Sequence, residues 1–234
     1  MTAATLDRHL TTPIYSFADG ARMLGMPPNT LHNWATGYVL KRADAPPSVA
    51  YPLVTSSAKR PGSRAVLPFV GLAEAYALLA FKEAGVPVLR IRPAVKWLDE
   101  HLGLPQALAS ERLMTDGAEV LYDFAHHGDD DDAREAIEGL VVVRSGQQVF
   151  RPVVEQFLKR VTYRNGWISA IRLPSYQADV IADPLINGGL PTLRRRGVRV
   201  ADVLGRVRAG ESPADVADDY GLDPSEVVSL AGAG

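Results

Sequence analysis

Hydrophobic residues recur at helical spacing along most of this chain and form strand-like runs in a few short segments. Between Ser16 and Gly37, the apolar positions define two short helices that a tight turn at Gly25 separates. Longer apolar stripes predict helices over residues 71–84 and 88–102. Short apolar runs favour strands in four later segments, residues 120–124, 140–143, 149–150 and 167–173. The whole pattern predicts a mainly α fold with small β elements, in the α+β class.

The most regular pattern belongs to residues 180–234. A short strand and a turn at Asn187-Gly188-Gly189 come first, and three helices follow. Gly210 and Gly221 end the first and second of these helices, and Ser212-Pro213 and Asp223-Pro224 begin the second and third.

These patterns divide the chain into three parts. We expect an N-terminal winged helix-turn-helix domain over residues 1–103 and a C-terminal three-helix, helix-turn-helix-like domain over residues 180–234. Between them, residues 104–179 form a small, β-rich β/α region that links the two domains or dimerises. It also contains a helix expected over residues 153–163.

The two short N-terminal helices have the sequence of a helix-turn-helix. Ser16 is a good N-cap with Asp19 in the capping-box position, and Gly25 can adopt the left-handed conformation that ends a helix. The second helix would enter the major groove of DNA with its outward side chains, Asn29, Thr30, His32 and Asn33. Asn pairs with adenine edges, and Thr and His reach phosphate or base. A helical hairpin that only contributes to a core is the alternative.

A basic wing is expected after these helices. Residues 51–54 and 66–67 favour strands on either side of a polar tip, residues 55–64. The tip contains three basic residues, Lys59, Arg60 and Arg64. A wing of this kind would bind the phosphate backbone of DNA. A solvated loop without a ligand is the alternative.

The net charge of −2 is distributed unevenly. Residues 1–68 hold seven Lys and Arg against three Asp, residues 69–182 hold 12 basic against 16 acidic residues, and residues 183–234 hold six Arg against eight acidic residues. The N-terminal part is therefore positive and the rest is acidic. A polyanion would meet the N-terminal part first.

Several classes of function lack the residues that they need. The chain has no Cys, and therefore no disulfide and no thiolate metal site. Its polar first residues and the lack of an apolar run of about 20 residues predict a cytoplasmic protein without a membrane partner. No nucleophile elbow, phosphate loop or zinc spacing occurs, so we expect neither an enzyme nor a cofactor. The acidic loop, Asp129 to Asp132 beside His126 and His127, is expected to be solvated, because consecutive Asp side chains diverge.

The N-terminal segment carries a longer motif, made of Tyr15, Ser16, Gly25, Met26, Pro28, Thr30, Leu31 and Trp34, with Gly85-Val86-Pro87 before a further helix. Over residues 15–103 this pattern resembles the MerR family of regulators, which implies a winged helix-turn-helix that binds operator DNA. Pro27 stands where that family usually has Ser or Thr, and His32 stands where Arg is usual. Both departures leave the fold intact but could weaken the contact with DNA.

The C-terminal segment carries a second motif, made of Asp183-Pro184, Gly188-Gly189, Pro191, Arg199-Val200 and residues 210–222. It resembles the family called domain of unknown function 433, whose members are often antitoxins encoded beside a toxin with a PIN-like nuclease fold. Gly197-Val198-Arg199 replaces the usual Gly-Thr-Arg, which is a mild departure. The two resemblances together imply an antitoxin of the VapB type.

Four arginines beside this motif are the candidate toxin contacts: Arg194, Arg195, Arg196 and Arg199. A PIN-like nuclease gathers carboxylates around its metal ions, and guanidinium groups pair well with carboxylates. An ordinary solvated loop is the alternative. The last helix has two acidic residues and no basic residue, which disfavours DNA binding by that helix.

The function expected from these features is that of an antitoxin in a type II toxin–antitoxin system. The chain would neutralise a PIN-like, VapC-type ribonuclease and repress its own operon, as a homodimer on a palindromic operator. The alternative is a MerR-like transcriptional regulator. Metal-sensing members of that family rely on cysteine, so such a regulator would respond to an organic small molecule.

Overall fold

The computed structural model describes residues 7–42, 45–88, 90, 92–103, 105–127, 131–138, 140–144 and 147–232. Its helices are α1 (Arg8–Thr11), α2 (Phe17–Leu24), α3 (Pro28–Thr36), α4 (Phe69–Glu83), α5 (Arg92–Leu102), α6 (Glu111–Thr115), α7 (Gly117–His127), α8 (Asp131–Glu138), α9 (Pro152–Leu158), α10 (Val200–Arg208), α11 (Pro213–Tyr220) and α12 (Pro224–Ala231). Its strands are β1 (Pro13–Tyr15), β2 (Tyr38–Arg42), β3 (Ala45–Ala50), β4 (Leu67–Pro68), β5 (Val141–Arg144), β6 (Gln147–Phe150), β7 (Val161–Arg164), β8 (Trp167–Arg172), β9 (Val180–Ala182), β10 (Thr192–Leu193) and β11 (Val198–Arg199). The fold is α+β with an N-terminal helix-turn-helix, as predicted.

The predicted helix-turn-helix is formed by α2 and α3. The Ser16 hydroxyl accepts a hydrogen bond from the backbone N–H of Asp19 at 3.1 Å, and the Asp19 carboxylate accepts one from the N–H of Ser16 at 3.3 Å. This pair is a complete capping box. Gly25 ends α2 in the left-handed conformation, with a φ of 66°. Leu31 and Trp34, which are three residues apart on one side of α3, are both buried.

The wing lies earlier in the chain than the sequence predicts. Residues 51–54 are not a strand, and an antiparallel hairpin of β2 and β3 follows α3 directly. Val39 and Val49 pair across this hairpin, and both side chains are more than half exposed. Arg92 of α5 supports the base of the hairpin, with its guanidinium 5.6 Å from the centroid of the Tyr38 ring. The strand expected at residues 66–67 becomes β4, whose partner is β1.

The centre of the core is α4. All of its residues from Phe69 to Phe81 are buried, so this helix is surrounded by protein on every side. Tyr76 donates its hydroxyl hydrogen to the carbonyl of Phe157 at 3.0 Å, which ties α4 to α9. The helix predicted over residues 88–102 is confirmed as α5. Its apolar residues Val95, Leu98 and Leu102 are buried, and Ile91 lies outside the described residues.

Two predictions for the middle region are wrong. Residues 120–124, predicted as a strand, belong to α7, where Leu121, Phe124 and Ala125 are buried at helical spacing. Residues 153–163, predicted as one helix, contain the end of α9 and the start of β7. The other strands predicted for this region are confirmed as β5, β6 and β8. Residues 128–130 of the acidic loop lie outside the described residues, and Asp131 begins α8.

A five-stranded antiparallel sheet joins the middle region to the C-terminal part. Its strands β7 to β11 lie side by side in chain order. Ile171 of β8 pairs with Ala182 of β9, so the sheet continues across the boundary expected at residue 180. The three predicted C-terminal helices are confirmed as α10, α11 and α12. The division of the chain at residues 103 and 179 stays a prediction.

Across the described ranges, none of the helices combines the length and the apolar character needed to cross a bilayer.

Candidate nucleic-acid interface

The outward face of α3 presents polar side chains to solvent. Asn29, His32 and Asn33 are exposed, and Thr30 is half-buried. Pro27 precedes α3 as its N-cap and forms no side-chain cap, so Pro28 at the first position starts the helix. The structure therefore brings the four predicted residues together on the exposed side of α3. Amide, hydroxyl and imidazole groups in this arrangement can donate and accept hydrogen bonds at base edges and phosphates.

His32 is held in place by its neighbours. Its ring meets the ring of Phe17 edge to face, with 5.3 Å between the centroids and an interplanar angle of 81°. The Thr36 hydroxyl lies 3.4 Å from the Nδ1 atom of His32 and donates to the backbone carbonyl of His32 at 2.9 Å. The imidazole is thus positioned on the surface by contacts with α2 and with the next turn of α3.

The predicted basic residues lie on a loop, residues 51–66, which we call the basic loop. Lys59, Arg60 and Arg64 are exposed. No carboxylate of the described residues forms an ion pair with any of these three side chains. Their charges are therefore not compensated locally and are available to a phosphate backbone.

The basic loop is anchored against the C-terminal end of α3. The carbonyl of Trp34 accepts hydrogen bonds from the backbone N–H groups of Leu53 at 2.7 Å and Val54 at 3.2 Å. The Ser56 hydroxyl donates to the carbonyl of Ala35 at 3.2 Å. These bonds satisfy carbonyls that the end of a helix leaves without partners. They also place the start of the basic loop directly beside the candidate recognition helix.

A buried carboxyl group fixes the same loop to the core. Glu74 of α4 accepts hydrogen bonds from Thr55, at 2.5 Å from the backbone N–H and 3.1 Å from the hydroxyl. Burial is the main reason that the pKa of Glu74 rises to about 8; the bonds from Thr55 oppose the rise, and the charge of Asp99 adds to it. No motif in the sequence identifies Glu74, because its partner is in a loop 19 residues away.

We expect Glu74→Gln to be increasingly stabilising, relative to the wild type, as the pH rises. An unfolded Glu ionises near pH 4.3, about its ordinary pKa. The folded chain keeps Glu74 neutral up to about pH 8, so it binds the extra proton and wild-type stability falls as the pH rises through this window. Gln keeps an oxygen that accepts from Thr55 but does not ionise. Urea unfolding at pH 5, 7 and 9 measures the difference, and Glu83→Gln at the exposed end of α4 is the control. An equal pH slope for both variants would contradict the buried carboxyl.

The C-terminal helices repeat the local pattern of the N-terminal helix-turn-helix. The pattern in the first unit consists of Ser16, Asp19, Gly25, Met26, Pro28 and Leu31. The residues at the same spacing in the second unit are Ser212, Asp215, Gly221, Leu222, Pro224 and Val227. The Ser212 hydroxyl caps α11 by accepting from the Asp215 N–H at 3.1 Å, and Gly221 ends it with a φ of 62°. The equal spacing is visible in the sequence alone.

The two units differ in the chemistry of their second helices. The positions of Asn29, Thr30, His32 and Asn33 correspond to Ser225, Glu226, Val228 and Ser229. Val228 is 57% exposed, and the Glu226 carboxylate accepts from the N–H of Asp223 at 3.0 Å. The exposed side of α12 therefore offers an apolar and an acidic side chain, which gives no attraction to a phosphate backbone.

The four candidate arginines have different surroundings. Arg194 and Arg195 are exposed, and neither forms an ion pair with the described residues. The guanidinium of Arg196 donates to the carbonyl of Gly221 at 2.8 Å, which caps the end of α11. Arg199 pairs with Asp202 at 2.8 Å. Arg194 and Arg195 are thus the two most available to a partner.

Two long-range hydrogen bonds attach the N-terminal segment to residues 175–189. The Tyr15 hydroxyl donates to the carbonyl of Gly189 at 2.7 Å, and burial, with a smaller contribution from Asp183, raises the pKa of Tyr15. The Ser175 hydroxyl donates to the carbonyl of Met23 at 2.9 Å. Gly189 has a φ of 81°, and a Cβ there would overlap the Tyr15 hydroxyl. The sequence identifies Gly189 as part of a turn and of the C-terminal motif, but not as a partner of Tyr15.

Among the described side chains, no three or more His, Asp or Glu residues are gathered where they could hold a metal ion. The side chains of His126, His127 and Asp132 lie outside that description, as do residues 128–130.

Two family models match parts of the chain. Residues 13–95 match the family described as "Putative DNA-binding HTH domain". Residues 180–231 match the family described as "Protein of unknown function (DUF433)". The first match contains α2, α3 and the basic loop, and the second contains α10, α11 and α12.

Relatives cover nearly the whole chain. The Mycobacterium tuberculosis protein named "Putative antitoxin VapB45" is 46% identical over 95% of this chain and 94% of its own length. The uncharacterized protein Rv2308 of the same organism is 25% identical over 93% of this chain and 88% of its own length. The crystal structure of Rv2018 from M. tuberculosis has a TM-score of 0.81 and 44% identity, and the match covers 94% of this chain and 97% of that one.

Proposed function

This chain belongs to the family of the M. tuberculosis protein named "Putative antitoxin VapB45", and from that premise we propose that it is the antitoxin of a type II toxin–antitoxin system. It acts in the cytoplasm by binding and not by catalysis. It neutralises a PIN-like, VapC-type ribonuclease and represses its own operon at an operator. Both the antitoxin relative and the match to a DNA-binding helix-turn-helix family support this role.

The DNA-binding part of the proposal rests on one observation: α3 and the basic loop lie next to each other, and both expose polar or basic side chains. Asn29, His32 and Asn33 face solvent, while the uncompensated cations of the loop lie on the segment anchored to Trp34. A helix of this kind enters the major groove, and cations beside it bind the flanking phosphates. A homodimer would read two half-sites of a palindrome, because its two-fold symmetry matches that of the operator.

The toxin-binding part rests on Arg194 and Arg195. Both guanidinium groups are exposed, and among the described residues neither has an acidic partner. An active site that gathers carboxylates attracts such groups. Their position on the turn between β10 and β11 is separate in sequence from α3 and the basic loop. The chain could therefore bind toxin and operator through different surfaces.

Co-expression with the small gene beside it, followed by a gel shift on the intergenic DNA, tests the proposal. We expect the two proteins to copurify and the complex to shift that DNA. If the chain shifts the DNA alone and does not bind the neighbouring product, the antitoxin role fails and a ligand-controlled regulator replaces it. If the two proteins copurify without any shift, the operator role fails.

Charge reversals at the two surfaces should have separate effects. We expect Arg194→Glu with Arg195→Glu to abolish copurification with the toxin, because carboxylates would then face carboxylates, and to leave the DNA shift within about twofold of the wild type. Arg60→Glu with Arg64→Glu should weaken the DNA shift at least tenfold, roughly the effect of losing two phosphate contacts, and leave copurification intact. Copurification assays and gel shifts on both double variants measure these two effects. Loss of both activities in either variant would contradict separate surfaces.

A further inference from the structure

A cleft of about 470 Å³ lies where the N-terminal helix-turn-helix meets the C-terminal part. α2 contributes Met23 and Arg22 to its wall, and α10 contributes Ala201, Leu204 and Arg208. The hydrogen bonds from Tyr15 to Gly189 and from Ser175 to Met23 fix the N-terminal segment against residues 175–189 next to the cleft. The cleft therefore lies at this contact, and it forms only when α2 and α10 are packed together.

The interior of the cleft is mostly apolar. Met23 and Leu230 are buried in its wall, while Ile14, Tyr176 and Leu204 are half-buried and line it. A volume of this size lies within the range of about 300–1,000 Å³ that is usual for small-molecule sites. It is too small for a whole helix of a partner, whose diameter with side chains is about 10–12 Å.

The rim of the cleft is positive. Among the described residues that line it, three are arginines, Arg22, Arg199 and Arg208, and one is acidic, Asp19. Asp19 is already occupied, since it accepts from the N–H and hydroxyl of Ser16 and pairs with Arg22 at 3.4 Å. Arg199 pairs with Asp202. Arg208 is exposed and has no ion pair within the part of the chain that the structure describes.

We propose that this cleft binds a small organic anion, a molecule with an apolar body and one carboxylate or sulfonate. The apolar body occupies the space between α2 and α10, and the anionic group pairs with Arg208 at the rim. The proposal concerns the isolated chain and does not depend on a toxin or on an operator.

The test uses two fluorescent probes that share their aromatic rings. 8-Anilinonaphthalene-1-sulfonate carries the anionic group, and N-phenyl-1-naphthylamine is the neutral counterpart. We expect the wild-type chain to bind the sulfonate more tightly than the amine. Arg208→Met should weaken sulfonate binding about tenfold, the usual effect of losing one charge-assisted hydrogen bond, and leave the amine unchanged.

A second variant fills the cleft. Ala201 is exposed on the first turn of α10, so Ala201→Trp should obstruct the cleft without disturbing the core, and both probes should then bind at least tenfold more weakly. Arg164→Met, which removes an exposed arginine outside the cleft, is the matched control. Circular dichroism establishes that each variant is folded.

Equal sulfonate affinity in the wild type, Arg208→Met and Ala201→Trp would overturn the proposal, because the fluorescence would then come from other apolar surface. Equal affinity of the two probes would also overturn the proposal, because the sulfonate group would then contribute nothing to binding. If Ala201→Trp abolishes copurification with a partner protein while probe binding does not depend on Arg208, the cleft is a protein interface and the proposal is wrong.

Discussion

Gly71→Ala is expected to lower the free energy of unfolding by about 3 kcal/mol or more, a large effect for one methyl group. A Cβ at this position of α4 would overlap the carbonyl oxygen of Thr55 and lie 2.8 Å from the Cδ1 atom of Leu67. The backbone of Thr55 has little freedom to move away, because its N–H is bound to the buried carboxyl group of Glu74. Relief therefore requires a shift of the basic loop, of α4, or of both.

The matched control is another glycine inside a helix. A Cβ at Gly205 of α10 would meet no atom within 4 Å, so Gly205→Ala should stabilise the chain by about 0.5–1 kcal/mol through helix propensity. Urea unfolding of both variants gives the two changes, which should have opposite signs. A shift of the basic loop would also displace Lys59, Arg60 and Arg64, and in that case Gly71→Ala should weaken the DNA shift as well. Wild-type stability in Gly71→Ala would mean that Thr55 does not approach α4 this closely in solution.

Asn29→Glu with Asn33→Glu is expected to weaken operator binding by roughly 100-fold or more. Each Asn is an exposed side chain of α3 that can pair with a base, and such a contact contributes about 1–3 kcal/mol to discrimination. The two new carboxylates would also be repelled by the phosphates. Both sites are exposed, so the fold should be unaffected. Gel shifts at fixed salt concentration measure the change.

The chain supplies its own control for this experiment. Ser225 and Ser229 occupy the same positions in the second helix-turn-helix, so Ser225→Glu with Ser229→Glu adds the same charge on α12. We expect operator binding within about twofold of the wild type, since α12 already has an acidic and apolar exposed side. A comparable loss in both double variants would mean that the second unit also lies on DNA.

The sequence does not predict the hairpin of β2 and β3, because the residue types of β3 disfavour a strand. β3 contains Pro46 and Pro47, and proline within a run argues against a central strand because it has no N–H to donate. Among the described strands, β3 pairs with β2 alone, so the missing donors are tolerated at an open edge. Residues 51–54 have a more strand-like sequence but instead bind the end of α3 through Leu53 and Val54.

The strand predicted at residues 120–124 fails for a related reason. Its aromatic and branched residues favour a strand locally, but Leu121, Phe124 and Ala125 also recur at helical spacing. In the fold they pack as one side of α7, and the ring of Phe124 lies 5.5 Å from that of Trp97 of α5. Tertiary packing decides between two patterns that a short segment satisfies equally well.

The sequence by itself determined the two helix-turn-helix units and the residue types on the exposed sides of their second helices. Their caps, left-handed glycines and buried positions, such as Ser16, Gly25 and Leu31, involve groups only a few residues apart, so local rules suffice. Only the tertiary structure determined the hydrogen bond from Thr55 to Glu74, the hydrogen bond from Tyr15 to Gly189 and the cleft between α2 and α10. Tyr15 and Gly189 are 174 positions apart. No local pattern encodes such a pairing, because it forms only when the whole core brings the two segments together.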